Sequence, residues 1–285
     1  MRGICPCQSK SSVIRTFSFL AIGMLGLLAC TPLPKDKLRQ VQLAHTYDYR
    51  NDSLVVILDN PLPSPLYVKT TSEDSQVQNI LKNFSPITLD PFQDSTFSYS
   101  YTGESEEPKI RISSTFGNPF DSMTQKALVY PFPKGRKYKI IQGYNGGFSH
   151  NTDYSRYAID FSLQVGDTIC AAADGYVVGV IEGYKHGGND RKWRDYANFI
   201  TLYHPDMNIL TQYVHLVENG SIVEVGDTVH GGDPIGVSGL TGFTSISHLH
   251  FNVLSIGPDG SKSIPVDFEN GVSGEELKRG VFVSH

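Results

Sequence analysis

The chain has 285 residues, with 24 lysines and arginines against 29 aspartates and glutamates, and a formal net charge of −5. Hydrophobic residues make up 39% and charged residues 19% of it, which is typical of a globular protein and excludes a disordered one. The acidic balance, without a basic cluster, excludes nucleic acid as an expected partner. The 27 glycines and 16 prolines indicate many turns and favour an all-β protein.

Residues 1–29 are interpreted as a signal peptide and not as part of the fold. Three basic residues and no acid accompany an apolar run over 17–29, which is too short to span a bilayer comfortably. The run ends in Leu-Leu-Ala before Cys30, which resembles a bacterial lipoprotein signal. This resemblance implies that Cys30 becomes the lipidated N-terminus and anchors the protein to a membrane of the cell envelope, facing the periplasm in a Gram-negative cell. The alternative is an ordinary secretory signal with an incidental cysteine.

The four cysteines agree with export. Cys5 and Cys7 would leave with the signal and Cys30 would carry lipid, so Cys170 is left as the single free thiol and no disulfide framework is possible. Cys170 lies in a small apolar segment and is predicted to be a core residue, not a nucleophile. Removal of the three positive charges of the signal would move the formal net charge from −5 to −8.

The polar segment 30–40 is interpreted as a tether, and residues 41–130 are predicted to form a small β-sandwich. Strand-like runs recur here at roughly ten-residue spacing, and the alternation of aromatic and polar residues over 96–101 is typical of a half-buried strand. The segment lacks a cluster of titratable side chains, so this accessory domain is predicted to be a spacer or a binding module. Tyr130–Gly135 marks the expected boundary to a second domain over 131–285.

The second domain begins with a glycine-rich loop, Gly143–His150, followed by a strand in which Asp160 stands between two apolar residues. The tetrapeptide Val-Gly-Asp-Thr occurs twice, at 165–168 and at 225–228, each time before a short apolar strand. Glycine adopts a positive φ at little cost, and aspartate hydrogen-bonds its local backbone. The repeats therefore predict tight turns in a compact antiparallel sheet folded back on itself.

Two histidines near the C-terminus, His248 and His250, lie two residues apart in a run with strand character. Side chains at i and i+2 point to the same face of a strand, so the two imidazoles are expected to stand side by side. That arrangement suits one imidazole on a metal ion and the other at a water, whereas the alternative is a pair of surface histidines. A third histidine, His215, is predicted to end a hairpin over 198–215.

A resemblance to a known family rests on motifs that follow one another in order: the Gly-Asp-Thr turns, Tyr213–Leu216, Gly239–Gly242 and Ser247–Phe251. Together they are similar to the lysostaphin-type zinc metallopeptidases, which cut peptidoglycan peptides. The likeness covers residues 143–255. It implies one zinc ion and five site residues: the metal ligands His150, Asp160 and His250, and the catalytic histidines His215 and His248.

Two positions depart from the pattern of that family. Its first metal ligand often stands four residues before the aspartate, where this chain has Arg156, which cannot bind zinc. His150 stands ten residues before Asp160, so an insertion over 151–155 is inferred. Ser247 replaces a usual proline, and no chemical consequence is expected.

The implied ligands explain the implied activity. Two imidazoles and a carboxylate leave a tetrahedral zinc ion one open position for water, whereas structural zinc sites are closed. Zinc activates such a water at neutral pH, His248 would accept its proton, and His215 would hydrogen-bond the oxyanion or the water, although the roles of the two histidines could be exchanged. Tyr144 and Trp193 are candidates for substrate binding, with plain packing as the alternative.

The prediction is thus a zinc endopeptidase that cuts stem peptides or cross-links of peptidoglycan from a lipid-anchored position. The alternative is a non-catalytic peptidoglycan-binding regulator of another cell-wall hydrolase. Such relatives typically lack metal ligands, whereas all five positions have candidates here. A biotinyl- or lipoyl-type carrier, suggested by the Gly-Asp turns, is disfavoured because no lysine stands at a suitable hairpin tip over 165–239.

Overall fold

The computed structural model describes residues 33–40, 44–103 and 108–285. The predicted signal peptide and Cys30 lie outside the described residues, so lipidation stays a prediction. Leu33–His285 form one compact unit, and the domain limits placed near residues 40 and 130 stay predictions as well. Within the described ranges, none of the helices has both the length and the hydropathy of a membrane span.

The prediction of an all-β protein is confirmed, since strands are the main secondary structure of the described residues. The N-terminal elements are β1 (Ala44–Arg50), β2 (Ser53–Asp59), β3 (Leu66–Ser72), α1 (Ser75–Leu81), β4 (Ile87–Leu89), β5 (Asp94–Ser100) and β6 (Ile110–Phe116). The strands that follow are β7 (Lys137–Gln142), β8 (Ile159–Phe161), β9 (Thr168–Cys170), β10 (Gly175–Ile181), β11 (Gly187–Gly188), β12 (Phe199–His204), β13 (Ile209–Val214), β14 (Leu216–Ser221), β15 (Thr228–Val229), β16 (Pro234–Ser238), β17 (Gly242–Phe243), β18 (Leu249–Ser255), β19 (Lys262–Ser263) and β20 (Phe282–Ser284). Short 3-10 helices lie at Arg191–Tyr196 and Gly274–Glu276.

The N-terminal strands form two antiparallel sheets, in the orders β1-β2-β5 and β4-β3-β6. In β5 the side chains alternate between exposed and half-buried, as the period of two predicts. Helix α1 has no counterpart in the sequence prediction. The Asp74 carboxylate accepts the Val77 N–H at 2.9 Å and caps this helix, and Val77 and Leu81, one turn apart, are buried.

The C-terminal strands form a nine-stranded sheet of order β15-β10-β12-β13-β18-β8-β7-β20, with β19 paired to β18. A second sheet of order β14-β16-β9 and a parallel pair of β11 and β17 complete this half. Large side chains such as Phe132, Phe161, Tyr213 and Phe251 fill the core between them. Cys170 is buried in β9, as predicted, and burial raises the pKa of its thiol to about 11.

The Gly-Asp repeats form the tight turns that the sequence predicts. Gly166 and Gly226 have φ values of 97° and 104°, in the left-handed region that favours glycine. In each repeat the aspartate carboxylate accepts the backbone N–H of the residue three positions earlier, Asp167 from Gln164 at 2.7 Å and Asp227 from Glu224 at 2.8 Å. Asp233 accepts the His230 N–H at 2.8 Å in a related turn.

Strands β12, β13 and β18 carry two different surfaces, because alternate residues face opposite sides. One face joins the C-terminal core. On the other face the strand register aligns three rows: Phe199, Val214 and His250; Thr201, Gln212 and Asn252; and Tyr203, Leu210 and Leu254. The last row packs, with Val178, into the apolar cluster built by the N-terminal strands. The first row lies at the other end of the same strands, where the candidate site is found.

Candidate metal and catalytic site

Three potential metal ligands converge beside the neighbouring strands β8 and β18, in the interior of the nine-stranded sheet. Asp160 Oδ1 lies 3.1 Å from His150 Nε2 and 2.9 Å from His250 Nδ1, and the two nitrogens are 3.2 Å apart. Asp160 in β8 and His250 in β18 are direct partners in the strand register, and His150 ends the glycine-rich loop. The structure thus brings together the three residues that the resemblance implies as ligands.

These atoms fit a zinc ion. Zinc–ligand bonds of about 2.0–2.2 Å in a tetrahedral arrangement require ligand atoms about 3.3–3.6 Å apart, a few tenths of an ångström more than the separations seen here. The Gly143 carbonyl lies 2.8 Å from His150 Nδ1 and accepts its proton, which leaves a lone pair on Nε2 aimed at the Asp160 carboxylate. In a buried place these facing acceptors are satisfied by a cation between them, either a metal ion or a proton on His150, and one proton would satisfy only one of the three contacts.

The charges of the cluster follow from burial and from neighbouring groups. Burial opposes ionisation of Asp160, but His248 and His150 hold the pKa of its carboxyl well below the usual range. Burial opposes protonation of His150, but Asp160 raises the pKa of its imidazole. Burial lowers the pKa of His250, although Asp160 opposes this shift. Burial, together with His248 and His250, lowers the pKa of His215 well below its usual range, so this ring is neutral at neutral pH.

His248 and His215 present free ring nitrogens beside the three ligands. His248 Nδ1 lies 2.8 Å from the Ile246 carbonyl, and His215 Nδ1 lies 2.6 Å from the Thr241 carbonyl. Because a carbonyl only accepts, each Nδ1 carries the proton and each Nε2 is left as an acceptor when the ring is neutral. His248 Nε2 is 3.7 Å from Asp160 Oδ1, and the centroids of the two rings are 4.6 Å apart.

His215 is held in a strained backbone conformation. Its φ is 75°, and a non-glycine residue in this region costs about 1–3 kcal/mol unless its surroundings enforce it. The N–H groups of His215 and Leu216 both donate to the Asn198 carbonyl, at 2.9 and 3.1 Å. The Thr241 hydroxyl donates to the Leu216 carbonyl at 2.7 Å and accepts the Asn198 N–H at 3.0 Å. This buried network fixes the direction of the imidazole.

Two cavities border the cluster. One, of about 360 Å³, is lined by His215 and His250. The other, of about 310 Å³, is lined by Asp160 and His248. Phe148 of the glycine-rich loop stacks on Phe243 of β17, with ring centroids 4.7 Å apart and ring planes at 15°. This aromatic pair joins the glycine-rich loop to β17 beside the site.

The two aromatic residues suggested for substrate binding lie elsewhere. Trp193 is 5% exposed, and its ring meets that of Tyr196 edge to face at 6.2 Å. The Tyr144 hydroxyl lies 2.9 Å from the Val266 backbone nitrogen, and Tyr144 lines a third cavity together with other residues of the glycine-rich loop. Neither residue lines the two cavities that border the cluster. Their positions support packing, and substrate contact stays a prediction.

Sequence reasoning missed Gln142, the last residue of β7. Its Nε2 donates to Asp160 Oδ2 at 3.1 Å, so it contacts the carboxylate oxygen that faces away from the imidazoles. The one sequence feature that could have pointed to Gln142 is its position directly before the glycine-rich loop. A glutamine at the end of a strand has no motif of its own, and only the pairing of β7 with β8 places it opposite Asp160.

An all-β fold that brings two imidazoles, a carboxylate and two further histidines to one opening is typical of a metal-dependent hydrolase. Residues 154–265 match the family model described as Peptidase family M23, and the chain therefore contains a domain of that family. The resemblance found in the sequence is thereby confirmed. Asp160, His215, His248 and His250 lie inside the matched residues, whereas His150 lies four residues before them.

Relatives share this segment and not the whole chain. An uncharacterized metalloprotease of Buchnera aphidicola subsp. Baizongia pistaciae (strain Bp) is 32% identical over 129 residues, which cover 44% of this chain and 30% of that protein. The glycyl-glycine endopeptidase ALE-1 of Staphylococcus capitis is 34% identical over 111 residues, which cover 38% of this chain and 25% of that protein. The catalytic domain of lysostaphin from Staphylococcus simulans is 28% identical, with a TM-score of 0.32, and the match covers 45% of this chain and 87% of that domain.

Proposed function

We propose that this protein is a zinc-dependent endopeptidase that hydrolyses peptide bonds of bacterial peptidoglycan, in stem peptides or cross-links. The observation that supports this most strongly is the convergence of three ligand atoms within 3.2 Å of one another, beside the free Nε2 atoms of His248 and His215. Membership of the domain in Peptidase family M23 supports a peptidase. The glycyl-glycine endopeptidase among its relatives supports a cell-wall peptide as substrate.

His150, Asp160 and His250 would hold the zinc ion. When bound, zinc supplies Lewis-acid activation of a water molecule and of the scissile carbonyl. His248, whose Nδ1–H is fixed on the Ile246 carbonyl, would accept the proton of the attacking water at Nε2 and deliver it to the leaving amine. His215 has the same free Nε2, which is an acceptor in the neutral ring, and would orient the attacking water by accepting a hydrogen bond from it.

The first test combines metal analysis with digestion of purified peptidoglycan. We expect about one zinc per chain and new peptide termini, loss of hydrolysis with a chelator, and recovery on return of zinc. His250→Ala should lose both zinc and hydrolysis while keeping the fold, as judged by circular dichroism. His230→Ala is the matched control, because His230 is an exposed turn residue whose imidazole faces Asp233. Full hydrolysis by His250→Ala would contradict the proposal.

The same experiment separates the enzyme from the non-catalytic regulator. A regulator would bind peptidoglycan without releasing termini, and its binding would not depend on zinc. The five site residues of this chain favour the enzyme, because a scaffold has no use for two free imidazole nitrogens beside a buried carboxylate. Chelator-resistant wall binding without hydrolysis would instead support the regulator.

We also propose that Cys30 anchors the protein by a lipid to a membrane of the cell envelope. The support is the sequence alone, with its basic start, apolar run and Leu-Leu-Ala before Cys30. Growth with labelled palmitate should label the wild-type protein and leave Cys30→Ser unlabelled. Release of both forms into the soluble envelope fraction would contradict anchoring and leave the proposed peptidase activity unaffected.

A further inference from the structure

The two oxygens of Asp160 have different partners. Oδ1 faces His150 Nε2 and His250 Nδ1, the candidate ligand atoms. Oδ2 accepts the Nε2–H of Gln142 at 3.1 Å. This hydrogen bond fixes the rotation of the carboxylate, so that one oxygen only is turned towards the two imidazoles.

Gln142 is itself held by the loop that carries His150. Its Nε2 also donates to Ser149 Oγ at 2.7 Å, and its Oε1 accepts the Phe148 N–H at 3.2 Å. The loop packs closely on this side chain, since a Cβ added at Gly146 would lie 2.3 Å from Gln142 Cγ and 2.8 Å from its Oε1. One amide group thus joins the aspartate on β8 to the two residues that precede His150.

We propose that Gln142 is a positioning residue that sets two zinc ligands at once, Asp160 through its Oδ2 and His150 through the Phe148–Ser149 backbone. The inference rests on the proposed zinc site. Outer hydrogen bonds of this kind commonly strengthen metal binding 10–100-fold, because they orient the ligand before the metal arrives. Here a single side chain serves two ligands that come from different elements, so its loss should disturb both.

The test is the zinc affinity of Gln142→Met, measured by competition with a chromogenic chelator. Methionine has a similar length and neither donates nor accepts strongly, so we expect zinc to bind about 10–100-fold more weakly. The cobalt-loaded variant should also show an altered visible spectrum, because ligand geometry sets the band positions and intensities. Gln164→Met is the control, since Gln164 is exposed and its side-chain amide donates to the Ser162 carbonyl, away from the candidate ligands.

The possible outcomes distinguish failure of the role of Gln142 from failure of the proposed zinc-dependent function. Zinc affinity within twofold of the wild type and an unchanged cobalt spectrum would overturn the role of Gln142 alone. A wild-type protein that binds no zinc would overturn the proposed function and this inference together. If Gln142→Met does not fold, Gln142→Asn keeps the amide but shortens the reach by one methylene, and it should also weaken zinc binding.

A second, independent observation concerns charge around the cavity that Asp160 and His248 line. Two cations, Lys139 and Arg279, line the same cavity, and among its described lining residues Asp160 is the single acid. The backbone places them together, because Phe282 pairs with Lys139 and the Gly280 N–H donates to the Ile140 carbonyl at 2.8 Å. The chain as a whole is acidic, with a net charge of −5. Its cationic cavity therefore contrasts with its overall charge.

We infer that this cavity is a subsite for a carboxylate of the substrate peptide, bound by Lys139 and Arg279 next to the site of bond cleavage. The inference rests on the proposed function and names an anionic peptide as its substrate class. Lysine and arginine bind carboxylates by charge-assisted hydrogen bonds, and both cations are exposed and accessible to a ligand. Asp160 does not compete for the two cations, since both its oxygens are engaged by His150, His250 and Gln142.

The probe is peptidoglycan before and after its carboxyl groups are converted to amides with a carbodiimide and ammonia. We expect the wild type to hydrolyse the untreated wall at least about 10-fold faster. The double variant Lys139→Gln/Arg279→Gln should lose this preference through a higher KM and keep its zinc. Lys137→Gln is the control, because Lys137 lies on the same strand outside the cavity. A preference that survives in the double variant would overturn the subsite, whereas a wild type inactive on both walls would overturn the proposed function.

Discussion

The two ends of strands β12, β13 and β18 differ sharply although they share one face of one sheet. At one end the row of His250 borders the candidate metal site. At the other end the row of Leu210 and Leu254 is buried in the apolar cluster of the N-terminal strands. Apolar burial contributes stability directly, whereas a cluster of buried polar groups is satisfied only by its own members or by a cation. The apolar end therefore holds the strands whose other ends present the ligands.

A middle row separates the two ends. Gln212 Nε2 donates to Thr201 Oγ1 at 3.2 Å, and the Tyr154 hydroxyl donates to Gln212 Oε1 at 2.8 Å. The Asn252 amide donates to the Tyr154 carbonyl at 2.7 Å. These bonds satisfy the buried polar groups of the row without leaving a charge. The comparison predicts that changes at the site end alter function, that changes at the apolar end alter stability, and that the middle row has small effects on both.

The largest effect is expected at the site end, for Asp160→Asn. Loss of the carboxylate charge removes one zinc ligand and leaves two imidazoles, so hydrolysis of peptidoglycan should fall at least about 1,000-fold. Bound zinc, measured by atomic emission, should fall with it, while the melting temperature of the metal-free protein changes little. Asp206→Asn, at an exposed surface position, should behave as the wild type. Retained zinc in Asp160→Asn would contradict the assignment of Asp160 as a zinc ligand.

At the apolar end, Leu254→Ala should destabilise the protein by about 3 kcal/mol, because a fully buried leucine leaves a cavity when truncated. Urea unfolding measures this change. Zinc content and kcat of the folded variant should match the wild type, since Leu254 lies two rows from His250. Leu240→Ala is the control, because Leu240 is 44% exposed and its loss should cost under about 0.5 kcal/mol. Loss of zinc in Leu254→Ala would show that the two ends are coupled.

His204, at the apolar end of β12, is expected to make the stability of the fold depend on pH. This imidazole is fully buried between the Asp174 carbonyl and Thr211 Oγ1, each at 2.8 Å, and burial lowers its pKa to about 4. As pH falls, His204 is protonated in the unfolded chain near pH 6.5 and in the folded protein only near pH 4. The contribution of the neutral imidazole to the free energy of unfolding is therefore complete above pH 6.5 and is lost between pH 6.5 and pH 4. The loss amounts to about 3 kcal/mol.

The check is urea unfolding of the wild type and of His204→Gln between pH 7 and pH 4. The variant should be less stable at pH 7 and should lose less stability on acidification. Equal slopes for the two proteins would contradict a buried neutral imidazole at this position. Zinc should be absent from both samples, so that titration at the metal site contributes equally.

The smallest effect is expected in the middle row, for Gln212→Met. The substitution removes two hydrogen bonds at similar side-chain volume, and it should cost about 1–2 kcal/mol because the Tyr154 hydroxyl can turn to water. Zinc affinity should stay within twofold of the wild type in chelator competition. A larger loss of zinc affinity would show that the middle row contributes to the metal site.

The all-β class and the Gly-Asp turns could be predicted from the sequence, and the family resemblance predicted His150, Asp160, His215, His248 and His250 as candidate site residues. These features are local: turn chemistry, an alternation of period two and the order of short motifs are read along the chain without knowing its partners. Helix α1 was missed because its seven residues carry a weak periodic signal, although Asp74 offers a cap.

The way in which these residues come together depends on contacts between segments that are distant in the sequence. His150 and Asp160 meet His250 across about a hundred positions of sequence through the pairing of β8 with β18. The roles of Gln142, Asn198 and Thr241, the interior position of Trp193, and the gathering of Lys139 and Arg279 on one cavity all depend on strand register. Register is set by which strands bury their apolar faces against each other, and that is a property of the folded chain as a whole.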